Sequence, residues 1–448
     1  MGLPAAQRRT RTLIVGLGKT GLSCARFLAA HGEEIAITDS RERPPGLADL
    51  RALLPDAAVF LGGFSEEALR RADRIVLSPG IAADTPFVAK ARALGMPVLG
   101  DIELFAHYAR APIVGITGAN GKSTVTTLLG IMAEHAGKDV RVGGNLGTPA
   151  LDLLQKQEPD LYVLELSSFQ LEITDSLPCV AATVLNLSPD HMDRYAGMKE
   201  YAAAKARIFR HCRSAVLNRE DAWVRDMAVG AKQRVSFGLD APQSGDYGVL
   251  GSGDDEWLAK GDERLMPASV MRLKGRHNIA NALAALALGE AAGLPMQAML
   301  AATEAFRGLP HRMEFVSRFH DVAWYDDSKG TNVGATLAAV QCVTQPLVLI
   351  AGGDGKNQDF APLAAALQGA RGVVLLGKDA QSIEDAIAGR VPVRRVKDMD
   401  AAVQAAAELA RPGDVVLLSP ACSSLDMFEN FEHRGRVFAA AVRRLADG

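Results

Sequence analysis

The side chains with the clearest chemical potential lie in a glycine-rich stretch, Thr117-Gly-Ala-Asn-Gly-Lys-Ser123. The apolar run 113–116 before it predicts a buried strand, and residues 126–133 after it predict a helix. Such a turn directs backbone N–H groups at a phosphate, while its lysine reaches the terminal phosphate and its hydroxyl binds Mg²⁺. The usual pattern has glycine where this chain has Ile116, and an ordinary structural turn is the alternative. The spacing favours nucleotide binding.

Of three polar residues further along, Glu165 could complete a magnesium site. Glu165 ends the apolar strand Leu161–Glu165, where a carboxylate commonly holds Mg²⁺. His191 follows a second predicted strand, 180–187, within a polar cluster, and a structural histidine is the alternative there. Lys205 lies in a predicted helix, 199–209, and its spacing alone predicts a lysine on the solvated surface.

An N-terminal dinucleotide fingerprint offers a competing function. A predicted strand leads into Gly16-Leu-Gly-Lys-Thr-Gly21, a predicted helix begins at Leu22, and Asp39 ends the next strand. Alone, this pattern favours an NAD-dependent oxidoreductase, in which Asp39 binds the ribose. Arg41 two residues later suits a phosphate equally well, so a Rossmann-like module that holds a nucleotide diphosphate is the preferred interpretation.

The C-terminal third contains alternating strands and helices whose turns carry Lys, Ser and Thr. The turns Asp326-Asp-Ser-Lys-Gly-Thr331, Gly352-Gly-Asp-Gly-Lys356 and Ser419-Pro-Ala-Cys-Ser-Ser424 each follow an apolar strand. Because parallel strands end at one edge of a sheet, we expect the turns to gather there as a site for a small anionic substrate. Singly, each could be ordinary turn chemistry.

Composition limits the remaining classes of function. The net charge of −3 comes from interspersed charges, which argues against a nucleic-acid-binding face. The five cysteines form no C-x-x-C pair, and no run approaches the roughly 18 apolar residues of a membrane span. We therefore expect a cytoplasmic protein with no membrane or nucleic-acid partner. Its 448 residues predict about three domains.

Six motifs in order resemble the Mur ligases, over nearly the whole chain. They are the glycine-rich stretch above, Leu164-Glu-Leu-Ser-Ser-Phe-Gln-Leu171, Asp190-His-Met-Asp-Arg-Tyr195, Leu309-Pro-His-Arg312, Asp327-Ser-Lys329 and Gly352-Gly-Asp-Gly-Lys356. The loop of this family resembles T-G-x-N-G-K-[ST], which accounts for Ile116. Folylpolyglutamate synthases share the loop and fold, but we would not expect them to carry the N-terminal module or the Leu-Ser-Ser-Phe-Gln run.

The resemblance implies an α/β fold of three domains. They are a Rossmann-like UDP-sugar domain at 1–100, a central P-loop ATPase-like domain with a mostly parallel sheet at 101–308, and a Rossmann-like domain at 309–448 that binds the amino acid and closes on ATP. The branch resembled most adds D-glutamate to UDP-N-acetylmuramoyl-L-alanine through an acyl phosphate, for peptidoglycan synthesis. ATP and two Mg²⁺ ions are the implied cofactors, and a monomer is expected.

The resemblance also implies site residues, with Lys122, His191 and Lys205 as the catalytic set. Lys205 fits the family pattern Tyr-x-x-Ala-Lys, in which CO₂ carbamylates the lysine and turns a cation into a metal ligand. The implied metal ligands are Ser123, Glu165, His191 and carbamylated Lys205; the ATP set is Gly118, Asn120, Gly121, Lys122, Ser123, Thr124, Asn278, Asn281, Arg312 and Asp327. The implied UDP-sugar set is Thr20, Asp39, Ser40, Arg41, Gly80 and Asn145, and the D-glutamate set is Thr331, Lys356, Ser424, Leu425 and Phe431.

Two other classes of function remain as alternatives. The NAD-dependent oxidoreductase leaves the phosphate loop unexplained, and NADH binding would support it. A non-catalytic nucleotide-binding regulator is opposed by Glu165 together with a second group of metal ligands. Absence of turnover with every amino acid would support the regulator.

Overall fold

The computed structural model describes residues 9–228, 230–387 and 389–447. Its contacts divide the chain into two compact units. The first unit comprises residues up to Asn186, Lys199–Val270 and Ala280–Glu304, and the second comprises Leu187–Met198, Met271–Ile279 and residues from Ala305 onward. The predicted domain boundaries after residues 100 and 308 remain a prediction, and residues 1–8, 229, 388 and 448 lie outside the described residues.

The first unit begins with a five-stranded parallel sheet in the order β3-β2-β1-β4-β5. Its central strand is fully buried at Leu13, Ile14 and Val15, as expected for a parallel sheet covered on both faces. The strands are β1 (Arg11–Val15), β2 (Glu34–Asp39), β3 (Ala58–Leu61), β4 (Arg74–Leu77) and β5 (Val98–Leu99). The helices are α1 (Lys19–Ala30), α2 (Leu47–Leu53), α3 (Glu66–Arg71), α4 (Pro86–Ala93) and α5 (Asp101–Tyr108).

A nine-stranded sheet completes the first unit, in the order β14-β13-β12-β11-β10-β9-β6-β8-β7. Strands β6 to β12 pair in parallel, and β12, β13 and β14 form an antiparallel extension. The strands are β6 (Ile113–Thr117), β7 (Val140–Gly144), β8 (Leu161–Glu165), β9 (Cys179–Val184), β10 (Ser214–Asn218), β11 (Gln233–Phe237), β12 (Tyr247–Leu250), β13 (Trp257–Lys260) and β14 (Glu263–Pro267). The next helices are α6 (Lys122–His135), α7 (Ser168–Leu171), α8 (Met198–Ala206), α9 (Arg276–Ala291) and α10 (Met296–Ala305).

The second unit contains a six-stranded sheet in the order β15-β16-β20-β17-β18-β19. Among its described strand pairs, β15–β16 is antiparallel and the others are parallel. Alternate residues of its strands enter two apolar clusters, so both faces are covered. The strands are β15 (Glu314–Phe319), β16 (Val322–Asp326), β17 (Leu347–Ala351), β18 (Gly372–Leu375), β19 (Val393–Arg395) and β20 (Val415–Leu418). The helices are α11 (Val333–Gln341), α12 (Ala361–Ala366), α13 (Ala380–Ile387), α14 (Met399–Leu409) and α15 (Phe431–Asp447).

The α/β fold with mostly parallel sheets is confirmed, and a few predicted element boundaries are wrong. Helix α1 begins at Lys19 rather than Leu22, so Gly21 lies in its first turn. A Cβ atom at Gly21 would lie 2.0 Å from the Gly16 carbonyl oxygen, which explains the third glycine of the fingerprint. Strand β9 ends at Val184 rather than at residue 187, and α8 ends at Ala206 before a short 3₁₀ turn. Among the described helices, none is both long and apolar enough to cross a membrane.

Candidate active site

The glycine-rich turn lies between β6 and α6, and its glycines are required by the backbone. Gly118 and Gly121 have φ angles of 151° and 82°, values that favour glycine. A Cβ atom at Gly121 would also lie 2.4 Å from the Asn281 Oδ1 atom. The Lys122 Nζ atom folds over the turn and donates to two of its carbonyls, at 2.9 and 2.8 Å. The helix N-terminus and this lysine form a cationic cradle suited to a phosphate.

Asn186 braces the same turn, and sequence reasoning missed it. Its Oδ1 atom accepts from the Asn120 N–H at 2.8 Å, and its Nδ2 atom donates to the Asn120 carbonyl at 3.1 Å. The predicted strand 180–187 includes Asn186. The strand ends at Val184, and the polar residue just beyond an apolar run is the signal that was available.

Glu165 has the environment expected of a cation ligand. It ends β8 beside β6, where it pairs with Ile116, and its side chain is 2% exposed. Its Oε1 atom accepts from the Asn145 Nδ2 atom at 2.7 Å. Its Oε2 atom is buried and has no hydrogen-bond partner among the described residues. An anionic oxygen left in this state is costly, and a bound Mg²⁺ would satisfy it, so the residues present fit the metal.

Lys205 is buried, and the expectation of a solvated surface lysine from its spacing is wrong. The side chain is 2% exposed, and its Nζ atom donates to the Gly118 carbonyl at 2.9 Å and to the Thr117 Oγ1 atom at 3.2 Å. The Nζ atom also lies 4.8 Å from the centre of the Tyr201 ring. The burial of Lys205 is decided by packing against the glycine-rich turn 117–123, the phosphate turn, rather than by helix periodicity. The structure thus brings Lys205 and the phosphate turn together.

His191 belongs to the second unit, whereas Ser123, Glu165 and Lys205 belong to the first. It is half-buried with a φ of 59°, and its backbone N–H donates to the Asp190 Oδ1 atom at 2.9 Å. The metal-ligand set predicted from the sequence is therefore divided between the two units.

Asp327, a predicted nucleotide residue of the second unit, lies in the turn that follows β16. Burial raises the pKa of Asp327 to about 7, although a hydrogen bond from Ser419 at 2.7 Å and the charge of Arg312 oppose that rise. The neighbouring His311 contacts Asp326 at 2.6 Å through Nδ1, and this hydrogen bond raises the pKa of His311. The predicted adenine ligand Asn278 also lies in this unit, whereas Asn281 lies in the first.

The Asp39 carboxylate of the N-terminal fingerprint is hydrogen-bonded to protein groups. Its carboxylate is 2% exposed and accepts from the Leu17 N–H at 2.7 Å and from the Arg41 guanidinium at 2.9 and 2.7 Å. Burial alone would raise the pKa of Asp39, but these hydrogen bonds lower it to about 2. Arg41, Ser40 and Gly80 are exposed, while Thr20 is half-buried. The outward group at this strand end is a guanidinium.

The three C-terminal turns do gather at one edge of the sheet. Asp354 and Ser423 exchange two backbone hydrogen bonds, at 3.0 and 2.8 Å, which join the second turn to the third. The first turn is joined to the third through Asp327 and Ser419. Of the residues predicted to bind D-glutamate, Ser424 is buried, Thr331, Lys356 and Phe431 are half-buried, and Leu425 is 72% exposed.

Arg434 on α15 braces two of these turns, and sequence reasoning missed it. Its guanidinium is 2% exposed and donates to the Ser328 Oγ and carbonyl oxygen and to the Cys422 carbonyl, at 2.8–3.2 Å. Burial lowers the pKa of Arg434 to about 10. No local motif marks this arginine, because its partners lie 12 and 106 residues away along the chain.

Comparison with known proteins decides the family. Residues 10–100 match the N-terminal domain of MurD-like Mur ligases, residues 116–289 the Mur ligase middle domain, and residues 311–422 the glutamate ligase domain of Mur ligases. The UDP-N-acetylmuramoylalanine--D-glutamate ligase of Nitrosococcus oceani is 55% identical over 437 residues, which are 97% of this chain and 96% of that protein. The chain belongs to the Mur ligase family.

Other similar proteins agree with the family. The ligase of the same name from Pseudomonas putida is 53% identical over 439 residues, covering 97% of both chains. The solved UDP-N-acetylmuramate-alanine ligase of Thermotoga maritima has a TM-score of 0.63 and 20% identity, over 98% of this chain and 100% of that one. At this identity the structural likeness shows the three-domain fold alone.

Membership makes this Mur ligase an enzyme of ATP-dependent peptide-bond formation in peptidoglycan precursor synthesis. The oxidoreductase alternative, drawn from the glycine fingerprint, is not favoured.

Proposed function

We propose that this Mur ligase joins D-glutamate to UDP-N-acetylmuramoyl-L-alanine at the expense of ATP. The likeness to D-glutamate ligases at 53–55% identity over 97% of the chain carries the proposal. Chemically, the three C-terminal turns offer the lysine, hydroxyl and backbone N–H donors that a dicarboxylate needs. The predicted monomer and cytoplasmic location remain predictions.

The proposed reaction has two steps. The γ-phosphoryl group of ATP moves to the substrate carboxylate, with ADP leaving, and the amine of D-glutamate then attacks the acyl carbon and expels inorganic phosphate. Lys122 and the turn N–H groups hold the β- and γ-phosphates, and Arg312 pairs with phosphate charge. Ser123 and Glu165 would hold one Mg²⁺, and His191 and carbamylated Lys205 would hold a second. These ions would neutralise the charge that grows during transfer.

We assign the other predicted residues to the substrates. Asn278, Asn281 and Asp327 bind the nucleoside of ATP, with Gly118, Asn120, Gly121 and Thr124 around its phosphates. Arg41, Ser40, Thr20, Gly80 and Asn145 contact the UDP-sugar, with Asp39 holding Arg41 in place, a role that its hydrogen bonds support.

The chemistry of its position supports the proposal that Lys205 carries a carbamate. An ammonium repels a metal, whereas addition of CO₂ to the neutral amine, with release of a proton, gives an anionic oxygen ligand. The buried Nζ atom already lies 2.9 Å from a carbonyl of the phosphate turn. We expect Lys205→Ala to lose nearly all activity and to regain part of it with added acetate or formate. Lys199→Ala, an exposed lysine of the same helix, should retain activity without added carboxylate.

The substrate assignment is tested by measuring phosphate release from ATP and UDP-N-acetylmuramoyl-L-alanine with a panel of D- and L-amino acids. Turnover with D-glutamate well above every other amino acid is the expected result. Preference for another amino acid would overturn the substrate assignment, and NADH binding measured by fluorescence would revive the alternative.

A further inference from the structure

An ion pair lies beside the predicted D-glutamate residues of the second unit. The Lys356 Nζ atom is 3.3 Å from the Asp190 Oδ1 atom, and the Asn332 Nδ2 atom is 3.3 Å from Asp190 Oδ2. Asp190 is 6% exposed, and the Lys356 side chain is 19% exposed. This carboxylate is therefore held against the turn that follows β17.

Local structure fixes both sides of this contact. Lys356 has a φ of 51°, and its N–H donates to the Asp354 Oδ1 atom at 3.1 Å, so the turn presents the lysine in a set direction. Asn332 caps α11, and its Oδ1 atom accepts from the Ala335 N–H at 2.8 Å. With the oxygen engaged at the cap, the amide nitrogen of Asn332 faces Asp190. The carboxylate is thus positioned by two independent elements.

We propose that Asp190 binds the α-ammonium group of the amino-acid substrate while Lys356 binds one of its carboxylates. This inference rests on the proposed ligase function. D-Glutamate carries two negative charges and one positive charge, yet Thr331, Lys356, Ser424, Leu425 and Phe431 offer it no anion. Asp190 supplies a carboxylate that contacts the Lys356 side chain of this set.

The charges of the ion pair are complementary to those of an amino acid: the Asp190 carboxylate suits its ammonium, and the Lys356 ammonium suits its carboxylate. An α-amino acid places its ammonium and carboxylate next to each other, as the structure places Asp190 and Lys356. The zwitterion can then replace one contact between side chains by two contacts with the protein. A dicarboxylate without the amine would leave Asp190 facing a second anion, so Asp190 becomes a determinant of specificity as well as of affinity.

The decisive comparison uses Asp190→Asn and two ligands, D-glutamate and glutarate, which lacks the amine. Loss of a charged partner should raise the KM for D-glutamate about 10- to 100-fold. Glutarate should inhibit the variant several-fold more tightly than it inhibits the wild type, because the repelling carboxylate is gone. The KM values for ATP and UDP-N-acetylmuramoyl-L-alanine should change less than about twofold.

Two further variants complete the test. Asp193→Asn makes the same chemical change at an exposed position of the same segment and should behave as the wild type does. Asp190→Glu keeps the charge and should keep the preference for D-glutamate over glutarate. The proposal is overturned if Asp190→Asn weakens the binding of glutarate as much as that of D-glutamate, or if the KM values of all three substrates rise alike. It is also overturned if Asp190→Glu loses the preference for D-glutamate over glutarate.

Failure of the proposed substrate would be distinguishable from failure of this inference. If the wild type turns over a different amino acid, the substrate assignment falls, and the same comparison is made with that amino acid and its deaminated analogue. Preference for the amine-bearing ligand that depends on the Asp190 charge then still supports the role of Asp190, and its absence overturns that role.

Discussion

Replacing Glu165 by Gln should have opposite effects on thermal stability with and without Mg²⁺. In EDTA, the wild type holds a carboxylate oxygen, Oε2, that is buried without a hydrogen-bond partner among the described residues. Such a group costs about 1–3 kcal/mol, and a neutral amide of the same shape costs less. The variant keeps the Asn145 hydrogen bond, because its Oε1 atom still accepts. We expect it to be about 1–2 kcal/mol more stable in EDTA.

The order should reverse when Mg²⁺ and a non-hydrolysable ATP analogue are present. Ligand at about 100 times its dissociation constant stabilises a protein by about 2.7 kcal/mol, and the variant should lose most of the part that depends on Mg²⁺. Thermal melts in EDTA, in nucleotide with EDTA, and in nucleotide with Mg²⁺ separate the stability of the ligand-free protein from the gains due to nucleotide and to Mg²⁺. The midpoints should differ by a few degrees, with opposite signs in the first and third conditions.

The matched control is Glu263→Gln, the same change at an exposed carboxylate on β14. It should move stability by less than about 0.5 kcal/mol in every condition. A lower melting temperature for Glu165→Gln than for the wild type in EDTA would refute the argument from the buried oxygen. An equal gain from Mg²⁺ in both proteins would refute the role of Glu165 as a metal ligand.

Two further predictions concern buried charges that the reaction scheme does not use. Burial raises the pKa of Asp101 to about 6 from 3.8, despite a hydrogen bond from Gln170, so the stability of the wild type should fall as pH rises from about 4 to about 6. The difference between a pKa of about 6 and 3.8 corresponds to roughly 3 kcal/mol at high pH. In urea unfolding, Asp101→Asn should be more stable than the wild type by about that amount at pH 8 and should lose the advantage towards pH 4. Arg434→Met should destabilise the second unit by about 2–4 kcal/mol, because buried carbonyls of Ser328 and Cys422 lose their donor. Hydrogen exchange at residues 326–331 and 419–424 should accelerate, and Arg434→Lys should not restore protection, since one ammonium cannot span both turns.

Features of the sequence that are local along the chain predicted the fold and the phosphate turn. Strand periodicity and the two glycines at positive φ depend on neighbouring residues, so Gly118 and Gly121 could be predicted without tertiary information. The burial of Lys205 could not be, since its hydrogen-bond partners lie 87 and 88 residues earlier. The contact between Asp190 and Lys356 spans 166 residues and has no signature in either segment. The motif positions could be anticipated, but the partners of their side chains could not.

Asp39 shows how one side-chain contact changes the meaning of a motif. A dinucleotide fingerprint requires a carboxylate that can accept from a ribose hydroxyl. Here both carboxylate oxygens accept from Leu17 and Arg41, and 2% exposure leaves little surface for a sugar. The Arg41 side chain is half-exposed, and its guanidinium lies outward at the end of β2. A cation at this position favours a ligand rich in phosphate charge, so the same residue that completes the NAD pattern in the sequence argues against NAD in the fold.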